Sequence, residues 1–146
     1  MINMTKENRG KYQKIIVDKI DDYFYKRTRY DQHFSLAVVL SDPEIDISVF
    51  NEHNRQTDMF VVLEKNLCCE IFDGTTEESG IKAASNLLTS FESHFYTKRL
   101  VISIVFSKDY NTSSQMVHRL FDILEYAYSR KLENMVVDNS LVIKDY

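Results

Sequence analysis

The sequence predicts an α/β (α+β) domain in which helices pack on a central, mostly antiparallel sheet of about five strands. Two runs, 34–40 and 100–106, are almost unbroken apolar sequence of strand length, as expected for strands covered on both faces. Met59 to Leu63 and Leu67 to Phe72 flank the polar residues Glu64, Lys65 and Asn66 and read as a hairpin. Three other segments repeat apolar residues at helical spacing with polar residues opposite. At 146 residues the chain is long enough for one two-layer core and too short for two. It therefore reads as a single domain over 1–146, an N-terminal helix over 6–29 followed by a sheet-and-helix core over 34–146.

Along the first helix, Tyr12, Ile15, Ile16, Ile20, Tyr23 and Phe24 form the apolar side, against Lys11, Lys14, Asp18, Asp21 and Asp22. The helix closes in a basic and aromatic cluster, Tyr25, Lys26, Arg27, Arg29 and Tyr30, where cations complement the C-terminal dipole. The 43–54 segment supports two readings: Asp42 can cap a helix with Pro43 at its first position, while Ile45, Ile47 and Val49 alternate as in a strand. Thr75 with Glu78 reads as a capping box opening a helix with Ile81, Ala84, Leu88, Phe91 and Phe95 inward. Thr112 with Gln115 repeats the device before a helix carrying Met116, Val117, Leu120, Phe121, Leu124 and Ala127 on one face. Met135 to Val137 and Leu141 to Ile143 read as short edge strands.

Composition narrows the function. With 44% hydrophobic and 27% charged residues the chain is globular, and a net charge of -4 argues against a nucleic-acid partner. No run approaches the ~20 apolar residues of a membrane span and the N-terminus lacks a signal-peptide core, so the expected location is cytoplasmic, with no membrane partner. Cys68 and Cys69 are adjacent and point to opposite faces of a strand, which predicts two reduced, buried thiols. Gly10, Gly74 and Gly80 are too scattered for a phosphate-cradling loop. His33, His53, His94 and His118 show no metal-ligand pairing. Nothing around Cys68 or Ser103 resembles a nucleophile motif, and Glu77 and Glu78 are the acids expected in a helix's first turn. The expectation is a protein that binds or regulates, with no catalytic residues, no metal and no cofactor.

Three segments carry a family resemblance. Arg27-Thr-Arg-Tyr30 leads into Phe34-Ser-Leu-Ala-Val-Val-Leu40. Leu120 to Asn134 gives a last helix with an asparagine beyond it. Arg55-Gln-Thr-Asp58 stands five residues before Glu64-Lys65-Asn66-Leu67-Cys68. In these segments and in its order of elements, the chain resembles the GGDEF domains of diguanylate cyclases, many of which place an inhibitory Arg-x-x-Asp five residues before Gly-Gly-Asp-Glu-Phe. A rival alignment sets Gln56 to Phe60 on the signature but needs an insertion before the next helix; the ungapped one is preferred.

The resemblance implies a shortened GGDEF or nucleotide-cyclase palm-like fold and a bacterial signalling role. It also implies a degenerate signature. Glu64 and Lys65 stand where glycines let the backbone approach substrate phosphates. Leu67 takes the place of a metal-binding acid, and the first-strand acids reduce to Asp42 with Leu40 or Glu44 nearby. Only a dozen residues separate Asp42 from Arg55, where the family has two helices carrying guanine-recognising residues. The implied function is a catalytically inactive regulatory domain binding cyclic di-GMP at Arg55 and Asp58. There the arginine fork suits a phosphate or guanine edge, and the carboxylate can accept from guanine N–H groups. The alternatives are a small acidic protein-interaction adaptor or chaperone with no nucleotide ligand, and, ranked last, an enzyme acting on a nucleotide through residues without a recognisable motif. A protein partner or a homodimer fits the size and charge.

Overall fold

Seven consecutive residues, Phe34–Leu40, are buried along their whole length and form β1, the middle of the sheet. The structure, a computed structural model, describes residues 5–49, 59–95 and 99–142. Its elements are α1 (Lys6–Tyr30), β1, β2 (Met59–Glu64), β3 (Leu67–Asp73), α2 (Glu77–Phe95), β4 (Val101–Phe106), α3 (Ser113–Ser129), β5 (Val136–Val137) and α4 (Asn139–Val142). The strand order is β2-β3-β1-β4-β5, antiparallel except for the parallel β4–β5 pair. Sheet and hairpin follow the sequence expectation.

The layering differs from it. Leu36, Val38, Cys69 and Val105 join the apolar faces of α1 and α3 in one cluster, while Ala37, Val39, Cys68 and Ile104 join α2 in another. Successive strand residues point to opposite faces, so strands buried at every position need a helix layer on each side, and the domain has three layers rather than two. Cys68 and Cys69 divide between the two clusters as free thiols. Arg9 fastens α1 to α3: its guanidinium donates to Asp122 Oδ1 at 2.7 Å, to Glu125 Oε2 at 2.8 Å and to the His118 carbonyl at 2.7 Å.

Two local expectations are corrected. Thr75 does not cap α2: it is buried, donating to the Phe72 carbonyl at 2.8 Å and sharing a 2.7 Å hydrogen bond with Ser35 Oγ. Thr76 takes the capping role, and Ser79 rather than Glu78 reaches back, its Oγ accepting from the Thr76 N–H at 2.8 Å. Leu141 and Val142, expected in a strand, belong to the helical turn α4, because the Asp138 carboxylate accepts from the Ser140 N–H at 2.9 Å and starts a turn; Ile143 lies outside the described residues. At α3, Thr112 Oγ1 accepts from the Gln115 N–H at 3.1 Å as expected, whereas the Gln115 side chain turns to the Asn111 N–H.

Candidate functional site

The carboxyl end of β1, the β2–β3 turn and the start of β4 meet at one end of the sheet, since Leu40 pairs with both Leu67 and Val101. The turn is Lys65 and Asn66, between Glu64 and Leu67. It is tied to the segment that follows β1. The Ser41 N–H donates to the Asn66 carbonyl at 2.9 Å, and Asn66 Nδ2, on a side chain only 6% exposed, returns a hydrogen bond to the Ser41 carbonyl at 3.1 Å. The Lys65 carbonyl accepts from the Ile47 N–H at 2.7 Å and the Ser48 N–H at 3.3 Å. These bonds hold Ile47 fully buried in the α2-side cluster with Cys68 and Phe72. The segment over 43–49 is therefore neither helix nor strand but a turn followed by a short 3-10 stretch, moored by hydrogen bonds to the hairpin; residues 50–54 lie outside the described residues.

The side chains of this turn are committed to the fold. Glu64 Oε1 accepts from the Tyr12 hydroxyl of α1 at 3.1 Å, and burial together with that carboxylate raises the Tyr12 pKa. Leu67 is fully buried in the α1 and α3 cluster. Burial foremost, then Asp46 and Glu70, pushes the Cys68 thiol up to about 12, which suits an inert packing residue. Asp42 Oδ1 lies 3.5 Å from Arg99 Nη2. Among the described residues, no three His, Cys, Asp or Glu side chains converge where a metal ion could be held.

Arg55 and Asp58, the ligand-binding residues expected from sequence, lie outside the described residues, as does His53. The chain enters β2 at Met59, which pairs with Ile71 at the end of the hairpin remote from the turn. Met59 and Phe60 are strand residues and the hairpin turn, Lys65 and Asn66, falls within Glu64 to Cys68; Gln56 to Asp58 of the rival alignment lie outside the described residues. The other singled-out groups serve the fold. Ser103 donates to the Leu120 carbonyl at 3.2 Å, His33 bonds Asp31 and Ser107, and Glu77 pairs with Lys108 at 2.8 Å. At the end of α1, Lys26 and Arg27 lie over the rings of Tyr23 and Phe24.

Sequence reasoning missed a cleft of about 350 Å³ where the end of β1 and the start of β4 meet the end of α3. It is lined by Leu40, Asp42, Arg99 and Val101, at the ends of β1 and β4, and by Tyr128, Lys131 and Glu133, at and beyond the end of α3. Lys131 has φ 56°, a left-handed conformation that costs a residue with a Cβ roughly 1–2 kcal/mol. The Leu132 N–H bonds the Ala127 carbonyl at 2.9 Å, closing the helix in the manner that favours glycine at the Lys131 position. The only signal in the sequence was the lack of a glycine where α3 ends.

No protein-family profile and no curated protein matches the chain. Solved structures do match. A microbial GGDEF domain described in its interaction with cyclic di-GMP superposes with a TM-score of 0.68 at 10% identity, covering 87% of this chain and 92% of that one. The GGDEF domain of YfiN (TpbB) from Pseudomonas aeruginosa gives 0.66 at 11% identity, covering 85% and 92%. The GGDEF domain of DgcB from Caulobacter crescentus, in complex with c-di-GMP, gives 0.65 at 12% identity, covering 86% of each chain. At such identities the likeness is one of architecture, and it agrees with the five-stranded sheet and its helices: the chain has the fold of a GGDEF domain.

Proposed function

We propose that this chain is a catalytically inactive GGDEF-like regulatory domain that binds a cyclic dinucleotide rather than making one. The mooring of the β2–β3 turn to residues 41–48 is the observation that carries this reading. A catalytic turn needs its backbone N–H groups within reach of a substrate's phosphates. This turn instead carries side chains in place of glycines and is drawn against residues 41–48 through the Lys65 and Asn66 carbonyls and the Asn66 side-chain amide, with Glu64 bonded to Tyr12. Phosphoryl transfer also needs metal ions held by convergent carboxylates. Leu67 is sealed in the core and Asp42 faces Arg99, so the described residues at this end of the sheet do not fit a two-metal centre.

Cyclic di-GMP is the proposed ligand because GGDEF structures of this architecture include one in complex with c-di-GMP. Arg55 and Asp58 are the proposed contacts, the first for a phosphate or guanine edge and the second for guanine N–H groups. They precede the end of β2 remote from the turn. A second reading, a protein-interaction adaptor without a nucleotide ligand, is favoured by exposed Met59 and Val62 on the edge strand β2. No described helix is long and apolar enough to cross a membrane.

The test is incubation of the purified protein with GTP and Mg²⁺ followed by chromatography of the nucleotides, with titration of cyclic di-GMP alongside. No cyclic dinucleotide should form, and saturable binding should be seen. Product formation overturns the inactive reading; absence of binding overturns the ligand and favours the adaptor.

A further inference from the structure

We propose that the cleft joining the end of β1, the entry to β4 and the C-terminal end of α3 binds a small zwitterion of amino-acid size, its carboxylate held by Arg99 and Lys131 and its ammonium by Asp42 and Glu133. At about 350 Å³ the cleft lies at the small end of ligand sites. Its lining carries charges of both signs, Arg99 and Lys131 with Asp42 and Glu133, beside buried Leu40 and Val101 and beside Tyr128, which is 40% exposed. That combination matches a molecule with one charge of each sign and one apolar group.

A polyanion fits it poorly. Two carboxylates line the cleft, one of them already 3.5 Å from Arg99, and the end of α3 presents the partial negative charge of a helix C-terminus. A purely cationic ligand meets Arg99 and Lys131. Lys131 supplies an independent pointer. Its left-handed backbone and the helix-closing bond from Leu132 to Ala127 define a position where glycine is more stable, yet a long cationic side chain lines the cleft there. Left-handed backbone at a residue other than glycine is one of the forms of strain that cluster at ligand sites. None of this involves Arg55, Asp58 or a nucleotide, so it stands or falls apart from the proposed function.

The experiment is calorimetric titration of the full chain with L-phenylalanine and L-leucine, compared with 3-phenylpropanoate, phenethylamine and inorganic pyrophosphate. At least one amino acid should bind saturably and about ten-fold more tightly than either singly charged analogue or pyrophosphate. In Lys131→Gly that affinity should drop about ten-fold while the thermal midpoint holds or rises, a pairing that a purely structural lysine does not produce. No saturable heat from either amino acid, equal affinity for a singly charged analogue, tighter binding of pyrophosphate, or unchanged affinity in Lys131→Gly overturns the proposal.

Discussion

The same substitution, glycine to alanine inside a helix, should have opposite signs at two places in this fold. A Cβ on Gly80 of α2 would stand 2.9 Å from Ser35 Cβ, nearer still to Ser35 Oγ, and 3.3 Å from Phe106 Cε1. Ser35 is fully buried in the central strand, and its hydroxyl is bonded to Thr75 Oγ1 at 2.7 Å, so it has little room to yield. Overpacking of this kind costs about 1–3 kcal/mol, and contacts under 3 Å with a side chain that cannot yield belong in its upper part, about 2–3 kcal/mol, against which alanine recovers about 1 kcal/mol of helix propensity. The net expectation for Gly80→Ala is a loss of about 1–2 kcal/mol, or roughly 2–8 °C in thermal midpoint for a chain of this size. Gly10 of α1 has nothing within 4 Å of where its Cβ would be, so Gly10→Ala should gain roughly 0.5–1 kcal/mol. Thermal and urea unfolding followed by circular dichroism reads both variants. Ser35→Gly combined with Gly80→Ala completes a double-mutant cycle, which should show a coupling of about 1 kcal/mol. A Gly80→Ala protein as stable as the parent would refute the close approach of α2 to β1.

Asn66→Ala leaves the Ser41 carbonyl without its side-chain donor at a buried site and should cost about 1–3 kcal/mol. Hydrogen exchange should show the Ser41 and Ile47 amides losing protection more than those in the middle of β1; equal protection would mean the mooring does not depend on Asn66. With Cys68 raised from 9.0 to about 12 and Tyr110 from 10.0 to about 12, both mainly by burial, the folded state holds these protons more tightly than the unfolded chain. The stability they contribute is complete below pH 9 and is lost as the pH climbs toward 12, so unfolding midpoints should fall steadily over that interval. Iodoacetamide at pH 8 should leave both cysteines unmodified until denaturant is added, as mass spectrometry would read; modification of the native protein would contradict their burial.

The strands and the long helices were legible because they are written in local periodicity. Phe34–Leu40 and Val101–Phe106 are apolar at every position but Ser35 and Ser103, are buried throughout and occupy the covered middle of the sheet. What escaped depended on distant partners. Thr75 looks like a cap until Ser35 claims its hydroxyl, and the cap then passes to Thr76. Ile45, Ile47 and Val49 alternate like a strand, but the Lys65 carbonyl decides their conformation, burying Ile47 and leaving Val49 exposed. Leu141 and Val142 have strand propensity but follow Asp138, whose carboxylate starts a helical turn. For the site, the placing of the hairpin turn within Glu64 to Cys68 was visible from spacing, whereas the cleft combines residues from three distant segments and leaves as its local trace only the missing glycine where α3 ends.

Whether the chain reads a nucleotide is settled most directly by calorimetric titration of cyclic di-GMP into the intact protein and into Arg55→Ala at matched salt. The account predicts saturable binding by the parent and a loss of at least about ten-fold in affinity in the variant, as expected when a charge-assisted bidentate contact is removed. No binding by the parent, or an unchanged affinity in Arg55→Ala, would contradict it.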